Sequence, residues 1–259
     1  MTKLKGKVAL VTGGGSGIGR GICKRFASDN ADVVVNDIDR GSIEKVSREV
    51  ESLGSKSLQI CADVSIKSSV EEMVSRVIKE WGKIDILVNC AGISCISPII
   101  ETTEEEFDRV YKVNLKGTFL CTQTVAKQMI KQGGGKIINI SSLAGRRPKE
   151  FLGAYMTTKF GIIGLTQITA LELGRYGIMC NAVAPGVIDT PLWKGRDKRE
   201  AEILGAPQIN SLESAVKNIP LGRAGQPEDV ANVVSFLASS DSDYINGQTI
   251  NVCGGSFFS

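Results

Sequence analysis

The chain has 259 residues, 42% hydrophobic and 23% charged, a balance ordinary for a globular protein. Its 31 basic and 28 acidic side chains leave a formal charge of +3 with no block of one sign, which gives no basis for nucleic acid or an anionic membrane as a main partner and points to small molecules. There is no histidine, so no triad with an imidazole base can be built, and a metal site would need scattered cysteines and carboxylates; no metal is expected.

The N-terminal "MTKLKGKVALVTGGG" starts basic and turns apolar like a signal peptide. Its apolar run is short, however, and ends in a glycine loop rather than a cleavage site. Nothing approaches the roughly 18 to 20 consecutive apolar residues of a membrane span, so a cytoplasmic protein is expected. "KVALVT" predicts the first strand, and Gly13, Ser16, Gly17, Ile18 and Gly19 follow it at the mouth of a helix predicted over "GIGRGICKRFASDN". Glycine there lets the backbone turn tightly and approach a pyrophosphate, whose charge the free amides of a helix N-terminus meet. No Lys-Ser or Lys-Thr follows the glycines, which favours a dinucleotide over ATP or GTP. The second strand, "ADVVVND", ends at Asp37, with Ile38 next, about 20 residues on, where a carboxylate can accept from ribose hydroxyls and repel a 2′-phosphate. NAD is therefore expected over NADP, although Arg40 lies close enough in sequence to blur the distinction, and a purely structural strand-end acid is the other reading of Asp37.

Five further apolar runs, "KSLQICAD", "IDILVNCAG", "GGKIINISS", "IMCNAVAPG" and "QTINVCGG", bring the expected strands to seven. Each of the first six is followed by room for a crossover helix, such as "SIEKVSREVESLG" or "SVEEMVSRVIKEWG". The alternation predicts one doubly wound α/β domain over residues 1–259, a seven-stranded parallel sheet flanked by helices on both faces. Between Asp189 and Pro220 the rhythm breaks into a polar, partly helical insertion, expected as a lid or binding loop, with a surface excursion as the alternative. The seven cysteines, at 23, 61, 90, 95, 121, 180 and 253, are scattered and odd in number, and read as reduced core residues.

"GAYMTTKFG" holds Tyr155 and Lys159 four residues apart, on one face if the segment is helical. An arbitrary pair of this kind is a half-buried phenol and a solvated lysine. As chemistry, it is a tuned proton donor: a free tyrosine with pKa near 10 is only about 0.1% ionised at pH 7, and lowering it two or three units takes roughly 3 to 4 kcal/mol. One cation at about 4 Å supplies about that at an effective dielectric near 20. Without histidine, this phenol is the best candidate base in the chain.

"TGGGSGIG", Asp63, "NCAG" at 89–92, Asn114, Ser142, Tyr155, Lys159 and "PG" at 185–186 occur in the order and approximate spacing of the short-chain dehydrogenase/reductase family, which the chain resembles over essentially its whole length. The resemblance implies a Rossmann-like fold with Tyr155 as general acid/base. Lys159 would lower the tyrosine pKa and bind the nicotinamide ribose, Ser142 would hold the substrate oxygen, and Asn114 would support a water in the proton relay. Ser142 is preferred to Ser141 because it lies 13 residues before Tyr155. Read as residues alone, Ser142 is equally a turn or cap residue and Asn114 a buried amide that satisfies backbone groups. The resemblance further implies that Asp63 and Val64 flank the adenine and that Asn89, Ala91 and Gly92 line the cofactor. Pro185, Gly186, Ile188 and Thr190 would meet its carboxamide. Two departures stand out: Cys90 where the family commonly has Asn, and Cys253 before Gly254 and Gly255 where it commonly has Asp.

"AGRRPKEFLGAY" and "APGVIDTPLW" resemble stretches of short-chain polyol dehydrogenases of the sorbitol type and, less closely, of acetoin or butanediol reductases. They place Arg147, Lys149, Glu150 and Trp193 in the loops that would frame the substrate, where a polar mouth suits a hydroxylated one; charges that face solvent are the equal alternative. The expectation is NAD(H)-dependent interconversion of a secondary alcohol and a ketone, on a polyol first. The alternatives are reduction of acetoin, diacetyl or a 3-oxoacyl thioester, and a non-catalytic NAD-binding regulator. The family resemblance also implies a homo-oligomer, a tetramer, with "QPEDVANVVSFLAS" and the C-terminal "GGSFFS" available for contacts.

Overall fold

The computed structural model describes residues 3–191, 196–206 and 210–258. Each apolar run expected as a strand is one: β1 Val8–Thr12, β2 Asp32–Asp37, β3 Ser57–Cys61, β4 Ile86–Asn89, β5 Gly135–Ile140, β6 Ile178–Pro185 and β7 Thr249–Val252. They form one parallel sheet in the order β3-β2-β1-β4-β5-β6-β7, with Leu10 paired to Val34 on one side and Leu87 on the other. Successive side chains point to opposite faces, so β1 feeds two cores at once. Ala9 and Val11 join Phe26, Val46 and Val234 on one face, while Val8 and Leu10 join Met73, Val77, Cys121 and Met129 on the other.

Helices α1 Gly17–Ser28 and α2 Arg40–Ser52 supply the first face, and α3 Lys67–Trp81 the second. Their ends follow local chemistry. Asp39 caps α2 by accepting from the amides of Gly41 and Ser42, and Gly82, at φ +76°, stops α3 in a left-handed conformation without a Cβ penalty. Thr103 and Glu106 form a reciprocal capping box that starts α4 Glu104–Tyr111. The chain then runs through a π turn, Lys112–Lys116, straight into α5 Gly117–Gln132. Helix α6 Gly153–Leu173 joins the second face, and the insertion contributes α7 Arg196–Leu204 and α8 Ser211–Val216. Helix α9 Pro227–Ala238 packs along α1, with Val230, Ala231, Val234 and Leu237 buried. Among the described residues no helix is long and apolar enough to cross a membrane.

All seven cysteines are free thiols, but they are not uniformly core residues: Cys23, Cys95, Cys121 and Cys180 are buried, Cys90 and Cys253 half-buried, and Cys61 exposed at the end of β3. The feature that places the site is the reversal of strand order around β1, which has β2 on one side and β4 on the other. Crossovers leave in opposite directions there and open a crevice above the carboxyl ends of the strands.

Candidate active site

That crevice is a cavity of about 670 Å³. Its floor at β1 is the glycine turn. Gly13 sits at φ +64°, and a Cβ on it would lie 2.7 Å from Ala91 Cα; a Cβ on Gly19 would collide with the carbonyl oxygen of Gly13. Glycine is thus required for β1, α1 and the strand beyond to close on one another. Ser16 precedes α1 but its side chain makes no capping bond, and no acid stands in the first helical turn, so Gly17, Ile18 and Gly19 present an uncapped helix N-terminus to the cavity they line. This is a cradle shaped for a phosphate-bearing ligand.

Two residues tie the cradle to its neighbours. Thr12 Oγ1 accepts from the amides of Cys90 (3.1 Å) and Ala91 (3.2 Å), and Asp37 Oδ2 accepts from the amide of Gly15 at 3.1 Å. The other Asp37 oxygen accepts from Ile38 N at 2.8 Å, so the carboxylate is a structural strand-end acid and also a wall of the cavity. Arg40 is exposed and lies outside that wall. Asp63 and Val64 line the same end, with Asp63 Oδ1 accepting from Ser65 N. Asn36 lines it too: its Nδ2 donates to the carbonyls of Ile60 and Ala62, and its buried Oδ1 has no partner.

At the other end Tyr155 and Lys159 project from α6 into the cavity, with Lys159 Nζ 5.4 Å from the centre of the tyrosine ring. Lys159 is not a solvated lysine: it is 4% exposed, donates to the carbonyl of Ile140 at 2.7 Å, and burial lowers its ammonium to about 8. The adjacent Cys90 thiol works in the opposite sense, and its own ionisation is pushed up to about 12 by enclosure. Ser141 is spent on structure, its hydroxyl donating to Lys159 O, whereas Ser142 lines the cavity while accepting from Ala144 N at 3.1 Å. The cap reading of Ser142 is therefore real. Its hydroxyl proton is still available to a ligand. Gly145 makes the juxtaposition possible, since a Cβ there would meet Lys159 O and Ser141 Oγ at 2.7 Å.

Pro185, Gly186, Ile188 and Thr190 line the cavity beyond β6, and Ala91 and Gly92 line it beyond β4. Asn89 and Asn114 do not. The Asn89 side chain is taken up by its neighbours, its Nδ2 donating to Asn139 Oδ1 and Thr122 Oγ1. Asn114 is fully buried in the π turn, accepting from Ile93 N at 2.8 Å and donating to Ile93 O and Thr158 Oγ1. Its side chain is the buried amide that braces the wall beside Tyr155. A widened turn of this kind often marks a functional position. Arg147 and Lys149 line the cavity, Glu150 is exposed outside it, and Trp193 lies outside the described residues. From the insertion, Ala215, Asn218 and Ile219 reach the cavity. Thr12, Asn36 and Thr158 were not anticipated, because short polar side chains inside apolar or helical runs carry no distinguishing pattern.

A family model described as enoyl-(acyl carrier protein) reductase matches residues 13–256. A short-chain dehydrogenase/reductase of Armillaria gallica is 48% identical over 98% of this chain and 97% of its own. A sorbitol dehydrogenase of Cereibacter sphaeroides is 40% identical over 99% of this chain and 100% of its own, and an (S)-acetoin-forming diacetyl reductase of Staphylococcus epidermidis is 40% identical over 96% and 98%. The crystal structure of an NAD+-bound xylitol dehydrogenase superposes with a TM-score of 0.93 at 32% identity, covering 98% of this chain and 100% of that one.

Proposed function

The chain belongs to the short-chain dehydrogenase/reductase family and is an oxidoreductase acting on CH–OH donors, and from that premise we propose that it interconverts a secondary alcohol and a ketone with NAD, on a polyol first. The observation that carries the reading is the convergence of Tyr155, Lys159 and Ser142 on the cavity whose other end is the uncapped glycine turn. Gly13, Gly17, Gly19, Asp37 and Asp63 would hold the dinucleotide, which when bound supplies the hydride acceptor. The Asp37 carboxylate disfavours a 2′-phosphate, and the NAD+-bound xylitol dehydrogenase neighbour supports the same choice.

In the oxidation direction Ser142 donates to the substrate oxygen and fixes it against Tyr155. The tyrosine takes the hydroxyl proton as the hydride departs, which gives a balanced two-electron oxidation. Lys159 stabilises the phenolate by its charge, enclosed where water cannot screen it. Asn114 holds the wall at Ile93 in register with α6.

A second reading has its own support. The cavity lining includes the apolar side chains of Ile93, Leu152 and Val187, which suit a small diketone, and a diacetyl reductase is among the relatives. Absorbance of the reduced nicotinamide separates the two: sorbitol, xylitol and galactitol with NAD or NADP, against diacetyl with NADH. The first reading expects polyol oxidation with NAD preferred at least tenfold. Brisk diacetyl reduction with no turnover of any polyol would overturn it in favour of the second.

We also infer a tetramer, built on α5 and α6 rather than on α9. The apolar side of α9 is consumed against α1, whereas Phe119, Ile130, Phe160, Ile168 and Leu171 are exposed on α5 and α6, Leu171 by 78%. Exposed apolar side chains clustered on neighbouring helices want cover.

A further inference from the structure

We propose that Ser256, in the C-terminal tail, is a substrate-binding residue: its hydroxyl holds a substrate oxygen away from the reacting carbon. The inference rests on the reading of the site as an alcohol/ketone oxidoreductase and narrows its substrates to compounds with a second hydroxyl or carbonyl. The tail leaves β7 close to the catalytic loop. Gly186 N donates to Val252 O at 2.9 Å, and a Cβ on Gly186 would lie 2.9 Å from Cys253 Cβ and 3.5 Å from Leu143 Cδ1. Leu143 follows Ser142, so this packing sets the tail beside the substrate end of the cavity. Gly254 and Gly255, at φ +61° and +87°, then turn the chain against Ile219 and Pro220, where Leu221 N donates to Gly254 O at 3.2 Å. Ser256 N donates to Cys253 O at 3.2 Å and the Cys253 thiol to Phe257 O at 3.5 Å, while the Arg147 guanidinium stands 5.9 Å from the centre of the Phe257 ring. Ser256 is thus held from both sides, and it lines the cavity.

Its hydroxyl has nothing to bond to. Ser256 Oγ is buried and has no hydrogen-bond partner among the described residues. Native proteins rarely leave a buried hydroxyl unpaired, and at a ligand cavity the ligand is what completes it. Arg147, Lys149 and Asn218 line the same cavity but are exposed, so water can serve them when no ligand is present. Ser256 Oγ is shut off from that water. A turn about the Cα–Cβ bond to another staggered position moves the oxygen, and a hydroxyl that leaves no bond behind gives up nothing by turning toward the cavity. Ser142 and Tyr155 serve the reacting oxygen, so the oxygen that Ser256 meets is a different one. A hydroxyl both donates and accepts, which suits an alcohol or a carbonyl, and such a site rejects an analogue that lacks the matching group.

Ser256→Ala removes the hydroxyl and keeps the backbone bonds of the tail. Two substrate pairs differ only in oxygens away from the reacting carbon: xylitol against 2-pentanol, oxidised with NAD, and diacetyl against butanone, reduced with NADH. The readout is the ratio of kcat/KM within whichever pair is turned over, which cancels general damage from the substitution. That ratio should fall about three- to tenfold in Ser256→Ala, the worth of one hydrogen bond. The thermal midpoint of the free protein should stay level or rise, since no internal bond is lost. An unchanged ratio overturns the proposal, as does a wild type that uses 2-pentanol or butanone as well as its oxygenated counterpart. Absence of turnover with both pairs would instead count against the oxidoreductase reading of these substrates. The affinity of xylitol relative to 2-pentanol for the enzyme–NADH complex, by calorimetry, then decides Ser256 by itself: the same fall supports the proposal, and no difference between wild type and variant overturns it.

Discussion

Lys159 is the residue on which electrostatics and stability collide. Its ammonium is buried against Tyr155 with the carbonyl of Ile140 as a partner, and enclosure lowers it from 10.5 to about 8. Because the folded value lies below the unfolded one, the unfolded chain holds a proton that the native chain has released between pH 8 and 10.5. Native stability from this group therefore rises with pH across that window, and the penalty is fully present below about 8. A Lys159→Met variant removes the penalty. In urea titrations of the cofactor-free protein, its stability relative to wild type should be about 2 kcal/mol more favourable at pH 7 than at pH 9.5. A pH-independent difference would mean that Lys159 is not buried as a cation. At this scale the shared face of Tyr155 and Lys159 was legible in the sequence, since residues four apart on a helix lie on one side. The burial of the lysine was not, because it depends on Ile140 and Cys90, brought in from β4 and β5. The side-chain bonds of Asn89 to Thr122 and Asn139 were not legible for the same reason, since they come from α5 and β5.

The glycine turn is the element that converts a sheet edge into a binding site, and its glycines are not equivalent. A Cβ on Gly19 would strike the main chain of Gly13, which cannot move without breaking the β1–α1 corner; a Cβ on Gly15 would meet side-chain atoms instead, the Oγ of Ser42 and, at 2.9 Å, Ser42 Cβ and Asp37 Oδ2. Gly19→Ala should therefore lower stability by about 1–3 kcal/mol and weaken NADH binding at least tenfold, while Gly15→Ala should cost less stability than Gly19→Ala. Thermal unfolding and NADH fluorescence titration check both, and equal effects would refute the distinction. The strands and their helices were readable because β-branched runs bounded by Gly, Asn and Asp admit few alternatives, and their parallel order follows from the crossovers. The π turn at Lys112–Lys116 was not. It inserts one widened turn between two helices whose apolar pattern runs on, and what holds it open is tertiary: Asn114 bonded to Ile93 and Thr158.

For the molecule as a whole, the doubly wound sheet places the glycine turn at the end of β1 and the Tyr155 helix beyond β5, so one crevice spans both. The same packing leaves α5 and α6 with an apolar outer surface, and light scattering after gel filtration should give four chains per particle. Phe160→Glu with Leu171→Glu should yield smaller species; a monomeric wild type would contradict the assembly. That surface was not legible in advance, because the apolar pattern of α9 looked equally available until α1 was found against it. The proposed reaction turns on the phenol of Tyr155 moving the proton beside Lys159, where the nicotinamide would lie. Tyr155→Phe, which removes one hydroxyl, tests it most directly: turnover should fall by about 10² to 10⁴ while NADH affinity stays within a few-fold. A Tyr155→Phe enzyme that turns over at the wild-type rate would contradict the account.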